Sequence, residues 1–108
     1  MKKNREAGNS FLIKNDAKYI GYIYISNLQN NESRTISMMI EKSVRGRGYG
    51  KIVLNSISTY LFENNLANSL FVYIKDKNIK SKALVSACDY FFVDKLNNSN
   101  TGIYERKK

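Results

Sequence analysis

The chain contains no histidine, no proline and a single cysteine, Cys88. Without histidine there is no Ser–His–Asp triad and no Cys–His dyad, and one cysteine adds neither a zinc site nor an intramolecular disulfide. A catalytic base has to be a carboxylate, a lysine, a tyrosine or water. No run of about 18 apolar residues occurs, so no membrane span is expected. Met1-Lys2-Lys3-Asn4-Arg5 is basic, as a signal peptide begins. Only Phe11, Leu12 and Ile13 follow as an apolar cluster, too few for a signal core. A cytoplasmic protein is expected.

Acid is also scarce. Nine Asp and Glu stand against eighteen Lys and Arg, a net charge of +9. Such a balance suits an anionic partner such as nucleic acid, an acidic protein surface or a polyphosphate ligand. It equally suits a chain rich in Lys, Asn, Ile and Tyr throughout. The length, 108 residues, predicts one domain over 1–108, with residues 1–9 loosely held.

Residues 11–14 suit a short strand, and Asn15-Asp16-Ala17 a tight turn. Residues 18–26 are β-branched and aromatic, as a strand packed on both faces requires. Residues 29–32 read as a hairpin connection. A strand over 34–41 follows, with Ile36, Met38 and Ile40 on one face. In residues 52–64, Val53, Leu54, Ile57, Tyr60 and Leu61 share a helical face. Residues 69–75 read as a buried strand. Asn78 is a plausible N-cap, and Ile79, Ala83, Leu84, Ala87, Cys88 and Phe91 then share a second helical face. Thr101 to Glu105 suits a last edge strand. The order β-β-β-loop-α-β-α-β predicts an α/β (α+β) fold. Antiparallel hairpins come first, and a right-handed parallel crossover spans residues 35–75.

Between the third strand and the first helix stands Arg45-Gly46-Arg47-Gly48-Tyr49-Gly50-Lys51. Alternate glycines free the backbone for conformations that a Cβ blocks. Converging N–H groups and a helix N-terminus favour an anion, and three side-chain charges add to them. A Walker loop fails, because position 45 is Arg and position 52 is Ile. A dinucleotide fingerprint fails on the Gly-x-Gly-x-Gly spacing and on the lack of an acid in residues 66–72. An RGG-type RNA segment would be repeated, and this copy is single.

The loop and its flanks resemble the GNAT superfamily of N-acetyltransferases, whose motif is Arg/Gln-x-x-Gly-x-Gly/Ala between a central strand and a helix. The resemblance covers roughly residues 11–104 and includes Asn78, Ser81 and Leu84 after the next strand. It implies a mixed, mostly antiparallel sheet with a splayed parallel strand pair, residues 37–41 and 70–74, and flanking helices. It implies acetyl-CoA as the acetyl donor, with no metal. The pyrophosphate would rest on the N–H groups of Arg45, Gly46, Arg47, Gly48, Tyr49, Gly50 and Lys51, with Asn78 and Ser81 nearby. The pantetheine arm would pair with the backbone near Met38, Met39 and Ile40, whose side chains otherwise read as core. One N–H there would polarise the thioester carbonyl.

Glu41 is the base candidate at the end of the central strand, and it reads somewhat more readily as a solvated strand-end charge. Asp76 and Glu32 are weaker candidates. The family's customary tyrosine acid falls at Val85, a departure. Tyr90 and Tyr73 are then the candidates to protonate the leaving thiolate, itself a fair leaving group at neutral pH, although Tyr90 reads more readily as core. Only 44 residues precede Arg45, and none suggests a helix of the kind that builds the acceptor side. The acceptor site should be open or completed by a partner. The expected acceptor is a protein lysine or N-terminus. Aminoacyl-tRNA is the alternative acceptor, and a non-catalytic acyl-CoA-binding module the alternative function. Apolar strands such as residues 19–25 would be covered in a homodimer.

Overall fold

A computed structural model describes residues 9–26 and 33–108. The first eight residues, the 29–32 connection and Glu32 lie outside them. In chain order the elements are β1 (Asn9–Asn15), β2 (Lys18–Ile25), β3 (Ser33–Ile40), a 3-10 turn (Lys42–Val44) and α1 (Tyr49–Glu63). Then come β4 (Ser69–Lys75), α2 (Ile79–Ala87), β5 (Phe91–Lys95) and β6 (Thr101–Lys107). The sheet has six strands in the order β1-β2-β3-β4-β6-β5. Among the described residues only the β3–β4 pair is parallel.

One face of the sheet carries the core. Ile23, Ile25 and Ile36 meet Leu54 and Leu61 of α1, Leu70 and Val72 of β4, and Val85 of α2 in one buried cluster. Each such side chain removed from water contributes about 1.5–3 kcal/mol. Among the described residues no helix covers the other face. Leu12, Tyr22, Met39, Tyr73 and Phe91 are exposed there. The expectation of a second strand packed on both faces is therefore corrected: Ile20, Ile23 and Ile25 are buried, whereas Tyr19 and Tyr22 are not.

Both helices stop on the same device. Asn65 and Asp89 adopt left-handed φ of 55° and 68°. Around them Leu66 N–H donates to Leu61 O (2.8 Å) and Tyr90 N–H to Val85 O (3.0 Å), while Asn65 and Asp89 N–H reach Phe62 O and Ser86 O. These are Schellman closures, with Asn and Asp where glycine is usual. The second closure explains a correction. Phe91 continues the apolar spacing of α2, yet α2 ends at Ala87 and Phe91 opens β5, a strand the periodicity does not reveal. The first helix also starts earlier than expected, at Tyr49 inside the glycine-rich segment.

Candidate active site

The third strand ends where its neighbours part. Glu41 N–H donates to Ile20 O (2.6 Å), and Thr35 C=O accepts from Ser26 N–H (3.0 Å). Odd-numbered residues of β3 therefore aim their backbone groups at β2. By the two-residue period, Ile36, Met38 and Ile40 aim theirs toward β4. The β3–β4 ladder runs only through Ser33–Ser69, Arg34–Leu70 and Thr35–Phe71. Beyond it, the backbone groups of Met38 and the N–H of Ile40 face a gap. Met39 does not; its backbone belongs to the β2 ladder, opposite Tyr22.

The gap opens into a cleft of about 650 Å³ whose walls include Met38, Arg45, Gly48, Lys51, Asn78 and Leu84. Gly46 and Gly48 lie at φ +83° and +82°, and a Cβ built on either meets no atom within 4 Å. The loop thus faces open space in a conformation that L side chains avoid. Gly48 is also the N-cap of α1 and supplies no side-chain cap, and no acid sits in the first turn. The first intrahelical bond is Ile52 N–H to Gly48 O. The N–H groups of Tyr49, Gly50 and Lys51 are left for an outside acceptor, at the positive end of the helix dipole. Arg45, Lys51 and Lys80 line this cleft, and among the described residues no carboxylate does. Its charge and its donors both select an anion.

Gly50 packs α1 against α2. A Cβ there would come within 2.7 Å of Leu84 Cδ1. On the opposite wall, Asn78 Oδ1 accepts from Ser81 N–H (3.0 Å) and so caps α2. Both residues line the cleft. The Arg45 side chain folds back, with Nε donating to Ile40 O (2.8 Å). Its guanidinium also lies 3.4 Å from the sulfur of Met39.

A second cleft, about 470 Å³, opens beside the first and includes Tyr19, Tyr22, Met39, Glu41, Lys42 and Arg45 in its walls. Met39 and Arg45 belong to both clefts. Glu41 stands only on the second.

Residues 2–90 match the sequence profile of the Acetyltransferase (GNAT) family. The chain belongs to that family. No curated protein matches it by sequence. Among solved structures similar to this GNAT chain is aminoglycoside acetyltransferase AAC(6')-Ib in complex with coenzyme A and kanamycin. The two share 11% identity, with 96% of this chain and 69% of that one covered at a TM-score of 0.84. N-acetyltransferase PseH of Campylobacter jejuni shares 24% identity, with 92% and 67% covered and a TM-score of 0.78. A chimera of spermidine N-acetyltransferase SpeG from Vibrio cholerae and hSSAT shares 15%, with 92% and 64% covered and a TM-score of 0.77. The chain spans about 64% of that chimera's length. At these identities the likeness speaks for the fold.

Within this GNAT fold the expected residues divide. Arg45, Gly46, Gly48, Tyr49, Gly50, Lys51, Asn78 and Ser81 line the first cleft, as do Met38, Met39 and Ile40. Arg47 lines neither cleft. The tyrosines depart from expectation. Tyr90 is fully buried and shares a 2.6 Å hydrogen bond with Ser58, whose hydroxyl also lies 2.7 Å from Leu54 O. Burial pushes its hydroxyl up to about 12. It lines neither cleft. Its burial follows from the Schellman closure, which folds the residue after Asp89 onto Val85. Tyr73 lies on the uncovered sheet face and also lines neither cleft. Asp76 is ion-paired with Lys95. Val85 is core.

Cys88 is buried behind the Lys51 carbonyl, and desolvation raises its thiol. Among the described residues no acidic, cysteine or histidine cluster could hold a metal ion, and no helix is long and apolar enough to cross a membrane. Sequence reasoning missed the second cleft. Its only signal was aromatic residues on the second strand.

Proposed function

We propose that the protein is an acetyl-CoA-dependent N-acetyltransferase acting on a primary amine, with a lysine or N-terminus of a protein as acceptor. The observation that carries this reading is the pair of clefts meeting at Met39 and Arg45. One is lined by uncapped helix N–H groups and cations, the other holds Glu41. Acetyl-CoA supplies an acyl group already activated as a thioester. The loop N–H groups and the α1 N-terminus hold its pyrophosphate. The gap-facing groups of Met38 and Ile40 pair with its amide-bearing arm as a further strand would. An N–H on that edge polarises the acyl carbonyl and stabilises the charge that develops on its oxygen. Glu41, directly or through water, takes the proton that the amine loses as its nitrogen bonds the acyl carbon. The C–S bond breaks, and the thiolate leaves to be protonated from solvent, since neither Tyr73 nor Tyr90 reaches the clefts.

The displaced tyrosines favour a second reading, a module that binds acyl-CoA without turning it over. Release of free CoA with a panel of amines tests both. Turnover that is lost in Gly48→Asp supports the enzyme. Thermal stabilisation by acetyl-CoA with no turnover on any amine supports the module. Tight, salt-sensitive binding of aminoacyl-tRNA would move the acceptor from protein to RNA. A cytoplasmic location and a homodimer covering the open sheet face belong to the same proposal. Sedimentation velocity tests the dimer.

A further inference from the structure

The β1–β2 ladder is irregular where it matters. Ile13 pairs with Gly21, but the next residue, Lys14, pairs with Tyr19. Ile20 is the extra residue of a β-bulge. In a regular strand Tyr19 and Tyr22, three apart, would point to opposite faces. The bulge brings both to one face, while Ile20 turns to the other and is buried. Tyr19 is 54% and Tyr22 45% exposed, and both line the second cleft. Ile20 O also accepts from Glu41 N–H, so the same bulge fixes the end of β3 where Glu41 and Lys42 emerge. Re-aiming side chains beside a site is a common use of a bulge.

Charge around this aromatic wall is unbalanced. Lys42 and Arg45 line the cleft, and Lys14 Nζ stands 5.0 Å from the centre of the Tyr19 ring. Among the described residues that line the cleft, Glu41 is the one carboxylate. Among the described residues none of the four is in an ion pair. The guanidinium of Arg45 is held only by neutral atoms. A polyamine brings further positive charge to a site that already has an excess. A lone amine on a neutral carrier satisfies Glu41 and leaves the cations unused. An amine flanked by carboxylates meets every group.

We infer that the bulge builds a specificity platform for an acidic peptide segment. The acceptor lysine lays its methylenes against Tyr19 and Tyr22, and flanking carboxylates engage Lys42 and Arg45. This rests on the N-acetyltransferase reading above. It adds the acceptor's chemistry and names Tyr19, Tyr22 and Lys42 as specificity determinants.

The test uses two peptides of equal length with one lysine each, flanked by Asp and Glu in one and by Arg in the other. At low salt the acidic peptide is expected to have the higher kcat/KM by about tenfold or more, since like-charge juxtaposition is costly. Added salt should narrow the difference. Lys42→Glu should remove the preference and leave thermal stabilisation by acetyl-CoA unchanged. Tyr22→Ala should raise KM for the acidic peptide more than it lowers kcat. Equal rates on the two peptides, or a preference for the basic one, overturns the platform and leaves the enzyme standing. Fluorescence anisotropy of the labelled acidic peptide separates the two ideas. Lys42-dependent binding without turnover of any amine upholds the platform and removes the enzyme. Turnover of other amines with no peptide binding does the reverse. Lys42-dependent binding of tRNA in preference to the peptide overturns the platform in favour of RNA.

Discussion

Gly21→Ala is the sharpest perturbation this fold offers. A Cβ at that position runs into the carbonyl oxygen of Met39 and sits 3.0 Å from Ile40 Cα. Carbon atoms pack at about 3.5–4.0 Å, so β2 and β3 have to part by about 0.5–1 Å for the Cα alone. Both obstructing atoms are backbone, and no rotamer change relieves them. Overpacking in a well-packed site costs about 1–3 kcal/mol. A backbone clash inside a ladder belongs at the upper end, about 3 kcal/mol. In a domain of about 100 residues, each kcal/mol moves Tm by about 4–8 °C. Thermal denaturation of Gly21→Ala should therefore show a loss of about 12–24 °C. The companion variant is Gly46→Ala. Its Cβ meets nothing within 4 Å, so it carries only the cost of a left-handed alanine, about 1–2 kcal/mol. A fall of under about 4 °C for Gly21→Ala, or a smaller fall than for Gly46→Ala, would refute the close approach of the two strands at the bulge.

Three further outcomes are expected. Gly48→Ala should weaken acetyl-CoA binding by about 5–30-fold, the equivalent of the 1–2 kcal/mol left-handed penalty. Gly48→Asn should keep more affinity, because Asn enters that region more readily and is a good N-cap; calorimetric titration ranks the two. Tyr90→Phe should leave turnover per folded molecule unchanged. It should lower stability at neutral pH, through the lost hydrogen bond to Ser58, by an amount that changes with pH only at the alkaline end. The folded tyrosine is raised to about 12 from an ordinary 10, so its contribution is intact below pH 10 and is lost as pH rises toward 12. Urea titrations across that window should show the wild type losing stability more steeply than the variant. Asn78→Ala should cost about 1 kcal/mol by uncapping α2, visible as a Tm decrease of about 4–8 °C; no decrease would deny the capping bond to Ser81.

The glycine-rich turn between β3 and α1 was legible because its signal is local. Glycine spacing, the apolar strand before it and the amphipathic helix after it are all contiguous, and Asn78 announced its cap by type and position. What stayed hidden depended on partners far away in sequence. Phe91 continues the helical spacing of α2, and only the left-handed Asp89 ends the helix. Asp is a weaker marker of that conformation than glycine. Tyr90 looked available as an acid until the same closure carried it onto Ser58. Nothing in the string Lys-Tyr-Ile-Gly-Tyr announces a bulge. It exists through the register with β1 and the close approach to Met39, and with it came the second cleft. Of the three residues expected to pair with a ligand's arm, Met39 is turned away by strand alternation, a fact that needs the ladder's phase as well as the sequence.

The three-rung ladder between β3 and β4 has a consequence for how the molecule comes apart. On one side lie β1, β2 and β3, sequential and antiparallel. On the other lie β4, β6 and β5, also antiparallel and drawn from a single stretch of chain. Each half closes most of its sheet hydrogen bonds within itself, and they are joined by three residue pairs, by α1 and by the buried cluster to which both contribute. Such halves are natural cooperative units, able to open with different free energies. A ligand arm lying along the gap would supply the rungs that the strands lack. Amide exchange should then resolve two protected blocks in the free protein, and acetyl-CoA should merge them into one.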